Sequence, residues 1–422
     1  MTKFSGWKIA YALCAIYFLA VGVVYYGYAA LLPAMIKDLG WSRGDASFGF
    51  SLLSVVSGLA APLAAYSIRR IGARNTIIAG GGVSALGSVI TYFTDTLLAY
   101  YFGVGIVIGL AVTFQSLVPG GQILANWFLR RRALTMGMFL SMGGFGAFIA
   151  APAMAYLTEV TGGWREPWLV LAASGLAGSL VAYFFVRNHP DELGQHQDGV
   201  DASAPPLNTG APVKKSQVYH TTHNWMTGEA MRTREFWVII GAFTMATMGI
   251  GISTSQSLIF LVQDRGVDAI LAASALGTVG LMGAAGRLSG GVLGDYFEPR
   301  LIMAAGLGLE LSGMVLLNYS DDTVTLYAYA MLVGFGFGMA YLSLPTLIAN
   351  YFSAHDYAKL VARAYLLIVP VSALGPVIAG YTRDLAQSYT FVFLGFAALS
   401  VLPVILLVLM RPPMPKSSTA VQ

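Results

Sequence analysis

The stretch MGAAGRLSGGVLGDYFEPR, residues 282–300, runs from an apolar, small-residue segment into a charged turn. Its first part holds one arginine, Arg287, among Gly, Ala, Leu and Met; its last part carries Asp295, Glu298 and Arg300. Two questions arise from it: what repeats around this stretch, and why a charge sits inside it. The first is answered elsewhere in the chain. IRRIGAR (68–74) stands 226 residues before GDYFEPR (294–300), and ANWF (125–128) stands 224 residues before ANYF (349–352). Each of these segments closes a long apolar run, which predicts two parallel copies of one multi-helix unit.

Hydrophobic residues make up 56% of the 422-residue chain and charged residues only 10%, against about 25% charged in a soluble domain. That balance predicts a polytopic membrane protein with lipid around most of its surface. Runs long enough to cross a hydrocarbon layer of about 30 Å fall near 8–34, 45–68, 75–94, 98–125, 132–158 and 167–186. A second set falls near 235–262, 268–294, 301–319, 324–351, 358–382 and 388–410. None shows the two-residue alternation of a β-barrel, so the spans are helices, which satisfy their own backbone in lipid. The expectation is an all-α membrane protein: twelve transmembrane helices in two pseudo-symmetric six-helix bundles, 1–186 and 235–422, the second with a short tail. Between them, 187–234 is rich in Pro, Gly, Asp and Gln and reads as a flexible cytoplasmic linker. Its end, GEAMRTREFW (228–237), suggests a short interfacial helix leading into the seventh span. The first apolar run is too long for a secretory signal and reads as a retained helix.

With the N-terminus inside, cytoplasmic segments hold 18 of the 24 lysines and arginines, and the outer loops hold five: Lys37, Arg43, Arg165, Arg265 and Arg383. This bias places both termini in the cytoplasm and accounts for the net charge of +4 without any nucleic-acid partner. Arg130, Arg131 and Arg132 would meet anionic membrane lipids at the inner interface. Compact termini and a short linker suggest a prokaryotic inner membrane, and a chain working as a monomer. Cys14 is the one cysteine, which excludes a disulfide framework. The five histidines fall in polar connecting segments, and His220 and His223 lack acidic or thiol partners in sequence, so no metal or cofactor is implied. There is no HExxH motif, no paired carboxylates within a span and no nucleophile–histidine pair, so the residues do not suggest an enzyme. GGG at 80–82 lies inside a span and reads as packing material, not a phosphate loop.

GGVLGDYFEPR (290–300) resembles the loop motif of the major facilitator superfamily between helices 8 and 9. The first-half copy departs from it, with Arg69 where the aspartate belongs. The conformational latch that the resemblance implies therefore falls on Asp295 and Arg300. Three further stretches resemble the monocarboxylate porter branch and its relatives, the oxalate/formate antiporters: SGWKIAYALCAIYF (5–18), LGWSRGDASFGFSL (39–52) and NWFLRRRALTMGMFLSMGGFG (126–146). In the last, Gly137, Gly143, Gly144 and Gly146 would let the fifth helix approach a neighbour closely.

Arg287 precedes Asp295 by eight residues, roughly 12 Å of helix, which puts it near the middle third of the bilayer. Its repeat-related position is Ala61, so the fold itself does not call for arginine there. A mid-membrane arginine costs about 2.5–3.5 kcal/mol on insertion scales. Either an internal acid or a bound anion must offset that cost. No acid lies one turn before it, at Gly283 or Ala284; Glu310 in the ninth span is the other charge well inside a span. A guanidinium keeps its charge and offers a carboxylate two parallel hydrogen bonds. The resemblance implies that Arg287 binds a substrate carboxylate. The oxalate/formate relatives add a lysine in helix 11, near Ile368 here, and one fixed cation suits a monoanion. By the same resemblance Tyr25 and Tyr341 match tyrosines of the substrate site. Tyr28 follows Tyr25 by three residues and Phe337 precedes Tyr341 by one turn; Gln115 is a span amide without an evident local partner, and Tyr365 is a further candidate. The implied activity is secondary transport of a lactate- or pyruvate-like monocarboxylate by alternating access, coupled to protons or to a counter-anion. Animal members of the branch place an aspartate where Gly283 stands. The proton carrier therefore stays open, with Glu310 one candidate for protonation.

Overall fold

The computed structural model describes residues 4–128, 131–199, 218–221, 223–294, 296–352 and 357–414. Among these residues all regular secondary structure is helical, with no strand. Twelve long helical segments run in sequence. The first six are α1 (Gly6–Leu39), α2 (Arg43–Leu59 and Ala61–Ile71), α3 (Ala73–Tyr92), α4 (Leu97–Trp127), α5 (Arg132–Thr161) and α6 (Glu166–Phe185). The second six are α7 (Arg234–Asp264), α8 (Ala269–Leu293), α9 (Pro299–Leu317), α10 (Thr323–Phe352), α11 (Tyr357–Ser372 and Leu374–Ala386) and α12 (Thr390–Leu409).

Ten of these helices are long and apolar enough to cross a membrane, and the two pieces of α2, bent by 47°, make an eleventh. The twelfth, α3, has 20 residues, about 30 Å of helix. Its hydropathy is lowered by a stripe of small residues, Gly80, Ser84 and Gly87, that turns inward. Ser84 meets Gly175 of α6, so the residues that weaken the membrane signal allow the backbones to approach.

Breaks in the helices set which side chains face inward. The backbone of α1 widens to i→i+5 winding over Phe18–Tyr26 and tightens again from Gly27. Such stretches are rare and often mark functional positions. In α2 the bend falls between Leu59 and Ala61. The repeat counterpart of Arg287 therefore sits at a kink, while α8 runs unbroken from Ala269 to Leu293. The segment GEAMRTREFW divides in two: Thr227–Ala230 forms one short helical turn. Arg234 already belongs to α7, because the Thr233 hydroxyl accepts from the Phe236 amide at 3.3 Å and caps the helix there.

The two sets of six helices meet mainly along α5–α8 and α2–α11. At Gly144 of α5 an added Cβ would lie 2.2 Å from the Gly280 carbonyl oxygen of α8. Of the four α5 glycines, Gly143 and Gly146 also pack closely, on Tyr17 and Gly22 of α1, whereas Gly137 has nothing nearer than Leu288 at 3.9 Å.

Candidate functional site: an arginine-centred cavity

A cavity of about 270 Å³ lies between the two sets of helices, below the ~300–1,000 Å³ typical of drug-sized ligand sites. From the first set it takes Tyr17, Tyr25 and Tyr26 on α1 and Ser54 on α2. From the second it takes Thr247, Ile250, Gly251 and Thr254 on α7, Arg287 on α8, Phe337 and Tyr341 on α10, and Ser372, Ala373 and Pro376 on α11. Hydroxyl groups and aromatic faces thus surround a single cation. No carboxylate or imidazole is among these lining residues.

The surroundings of Arg287 answer why its charge is there. Its guanidinium carbon stands 5.2 Å from the centre of the Tyr341 ring and 5.8 Å from that of Phe337. Its Nη1 donates to the Leu140 carbonyl of α5 at a long 3.4 Å. Its Nε is buried without a hydrogen-bond partner. No ion pair to Arg287 forms among the described residues. Glu310 is not the missing partner: its side chain is fully buried, both its oxygens lack hydrogen bonds, and α10 packs between its helix and α8. Two rings stabilise a cation by roughly 0.5–2 kcal/mol each, less than a carboxylate would. The guanidinium is therefore held in place and left short of an anion.

Several sequence candidates fall elsewhere. Tyr25 lines the cavity, but Tyr28 does not: it is wholly buried, stacked on Phe50 and hydrogen-bonded to the Tyr100 hydroxyl. The wide winding of α1 up to Tyr26 shifts the phase, so residues three apart do not share a face there, and Tyr26 enters the cavity instead. Gln115 is also outside. It donates to the Gly175 carbonyl of α6 at 3.4 Å and packs against Gly80, Gly81 and Gly178, a core amide within the first six helices. Tyr365 stands edge-on to Phe243 behind the wall, at 6.1 Å between ring centres. Arg300 donates to the Val408 carbonyl at the C-terminal end of α12 at 3.2 Å, a favourable place for a cation. Asp295 lies outside the described residues. Sequence reading missed the hydroxyl lining, Ser54, Thr247, Thr254 and Ser372; the only available signal was a scatter of Ser and Thr inside apolar runs.

The cavity is sealed at the end opposite the chain termini. Arg43 at the start of α2 donates two hydrogen bonds to Asp264 at the end of α7, at 2.7 and 2.8 Å. Arg383 of α11 reaches the same carboxylate at 2.9 and 3.3 Å. The Gly44 amide donates to Asp384 at 2.8 Å, and the Tyr381 hydroxyl donates to Asp45 at 2.9 Å. One layer deeper, the Gln256 amide donates to the Ser47 hydroxyl at 2.6 Å and accepts from Tyr389 at 2.9 Å. By sequence Arg43 and Arg383 are outer-loop charges; their convergence on Asp264 joins residues 221 and 119 positions apart in the chain. A larger hollow of about 590 Å³ at the same end lies off the interface between halves. Of its two cations, Arg165 is paired with Asp95 at 2.6 Å and Lys37 shares the lining with the acids Asp38, Glu159 and Glu166, so it offers no comparable anion site.

This architecture is matched by the family model of the Major Facilitator Superfamily, over residues 13–309 and 258–422. The chain belongs to that superfamily. Among its relatives, human monocarboxylate transporter 2 is 24% identical over 368 residues, spanning 83% of this chain and 74% of that protein. Human monocarboxylate transporter 11 is 26% identical over 411 residues, 92% of this chain and 79% of that protein. An uncharacterized MFS-type transporter of Escherichia coli, YhjX, is 24% identical over 354 residues, 82% of this chain and 81% of that protein. In structure, the transporter superposes on the nucleoside transporter NupG with a TM-score of 0.73 at 13% identity, covering 95% of this chain and 99% of that one. That likeness concerns the fold. Family and relatives alike are transporters, and this one is a multi-pass membrane protein with an arginine-centred cavity between its halves.

Proposed function

We propose that this transporter carries a small monocarboxylate across the membrane, with the carboxylate bound at Arg287. The carrying observation is the guanidinium itself: it faces a closed-ended cavity, backed by Phe337 and Tyr341, with no acid paired to it among the described residues. A bound carboxylate supplies the missing negative charge through two hydrogen bonds, and the surrounding hydroxyls suit a lactate- or pyruvate-like oxygen at the next carbon. The two human relatives, named as monocarboxylate transporters, support the substrate class. The sealed end and a cavity built from both halves support alternating access, in which the halves rock about the occupied site. One chain encloses the whole cavity, so a monomer suffices. The lysine and arginine bias supports cytoplasmic termini, with a prokaryotic inner membrane as the setting.

Proton-coupled uptake is the mode we favour. Exchange of one organic anion for another, as in an oxalate/formate-type antiporter, is the second reading, favoured by the lack of a carboxylate among the described residues that line the cavity. Uptake of labelled lactate, pyruvate, formate and oxalate by purified protein in liposomes decides the class. Arg287→Ala is expected to abolish uptake, and Arg287→Lys, which loses the paired donors, to reduce it at least tenfold. Full transport by the alanine variant refutes the site. Uptake stimulated by internal anion and indifferent to acid outside selects exchange.

A further inference from the structure

Among the described residues, the cavity lining holds a fixed positive charge and no carboxylate or imidazole, so a proton carried by such a group sits elsewhere. Among the described acids, Glu310 is the one fully buried within a span. It lies on α9, against α7, α10 and α12. An added Cβ at Gly249 of α7 would fall 2.4 Å from its Oε1 and 2.4 Å from Phe396 of α12; Gly336 of α10 meets its backbone. The Ile250 backbone is close, but neither carboxyl oxygen has a well-aligned hydrogen bond. Among the described residues, no charged or titratable side chain acts on it from these helices. A carboxylate buried without a partner is far more costly than the neutral acid. With the far end sealed, then, this packing suits the protonated form.

The wall between Glu310 and the cavity is thin. Gly249 touches the carboxyl, and the next two residues, Ile250 and Gly251, line the cavity. We infer that Glu310 is the proton site of transport, exchanging its proton with cavity water across the Gly249–Gly251 turn of α7. In the releasing step the carboxyl O–H bond breaks and the proton passes to water. The electron pair stays on the carboxylate; rebinding reverses this.

Charge counting explains why the two sites act together. In the loaded state Arg287 is neutralised by the anion and Glu310 is uncharged. After both leave, Arg287 is positive and Glu310 negative, so the buried charge sums to zero again. The carrier therefore crosses its cycle without an uncompensated charge, which links one proton to one anion. A carrier without the acid is neutral when loaded but positive when empty. It exchanges anions and fails to return empty.

This inference rests on Arg287 as the anion site, and its test separates the two. Glu310→Gln and Glu310→Asp are reconstituted beside the native protein and Arg287→Ala. Two signals are read: counterflow of whichever labelled monocarboxylate the uptake panel ranks first, and proton entry into the liposome, by a trapped pH dye, on adding the same acid. The expected result is that Glu310→Gln keeps counterflow within about threefold of native and loses proton entry at least tenfold. Proton entry at the native level in Glu310→Gln overturns the inference. If that variant loses both signals, Glu310→Asp decides: restored proton entry with a displaced pH profile supports the inference, and a variant equally dead in both overturns it in favour of a shape role. Native protein that moves the anion without protons overturns the proton site and leaves Arg287 untouched. Native counterflow in Arg287→Ala refutes the anion site instead.

Discussion

Replacing Asp264 by asparagine tests whether the arginine–aspartate cluster holds the sealed end shut. Asp264 receives four hydrogen bonds from two guanidiniums, at 2.7–3.3 Å, and the three side chains are only 13–19% exposed. Hydrogen bonds to charged groups contribute roughly 1.5–3 kcal/mol each, but both states pay part of this back, because the opened cluster is hydrated. The change also leaves Arg43 and Arg383 facing each other without an acid, a repulsion confined to the closed state. We set the net loss of closure at about 3 kcal/mol, or roughly 150-fold in the conformational equilibrium. Spin labels at Lys37→Cys and Ala386→Cys, both exposed at that end and on opposite halves, read the change as an added longer distance in pulsed electron resonance. Adding Arg383→Gln to Asp264→Asn removes the surplus positive charge and is expected to restore part of the short distance. An unchanged distance distribution in the single variant, with native transport, refutes the reasoning.

Further outcomes follow from the packing and from the cavity lining. Gly144→Ala places a methyl against the Gly280 carbonyl at 2.2 Å; it should lower thermal stability in detergent by about 1–3 kcal/mol and impair transport, whereas Gly82→Ala, with nothing within 4 Å, should be neutral or gain roughly 0.4–1 kcal/mol. Tyr341→Ala, which strips a ring 5.2 Å from the Arg287 guanidinium, should raise KM for the carried acid by about tenfold. Gln115→Ala should lower the melting temperature and leave KM unchanged, and a KM effect as large as that of Tyr341→Ala returns Gln115 to the site.

How much of the site was legible differs residue by residue. Arg287 was legible because a lone charge in an apolar run has a cost that something must offset, and because Ala61 showed that the repeat does not require it. Tyr28 joins Tyr25 as a candidate only because a regular helix puts residues three apart on nearly one face; the wide winding of Phe18–Tyr26 breaks that rule and admits Tyr26 instead. Gln115 looked unpartnered because its partner is a backbone carbonyl 60 residues away on α6. Arg43 and Arg383 looked like ordinary loop charges because nothing local marks their shared contact with Asp264.

Composition, span length and the duplicated motifs determined by themselves that this is a helical membrane transporter fold with one exceptional charge, because lipid imposes length and backbone rules on every span separately. Tertiary structure alone decided which hydroxyls join Arg287, that Glu310 stands apart behind α7, and that one end is locked by Asp264. Those are contacts between helices far apart in the chain, set by glycine-to-glycine approaches and local changes of winding, and periodicity within a single span carries no record of them.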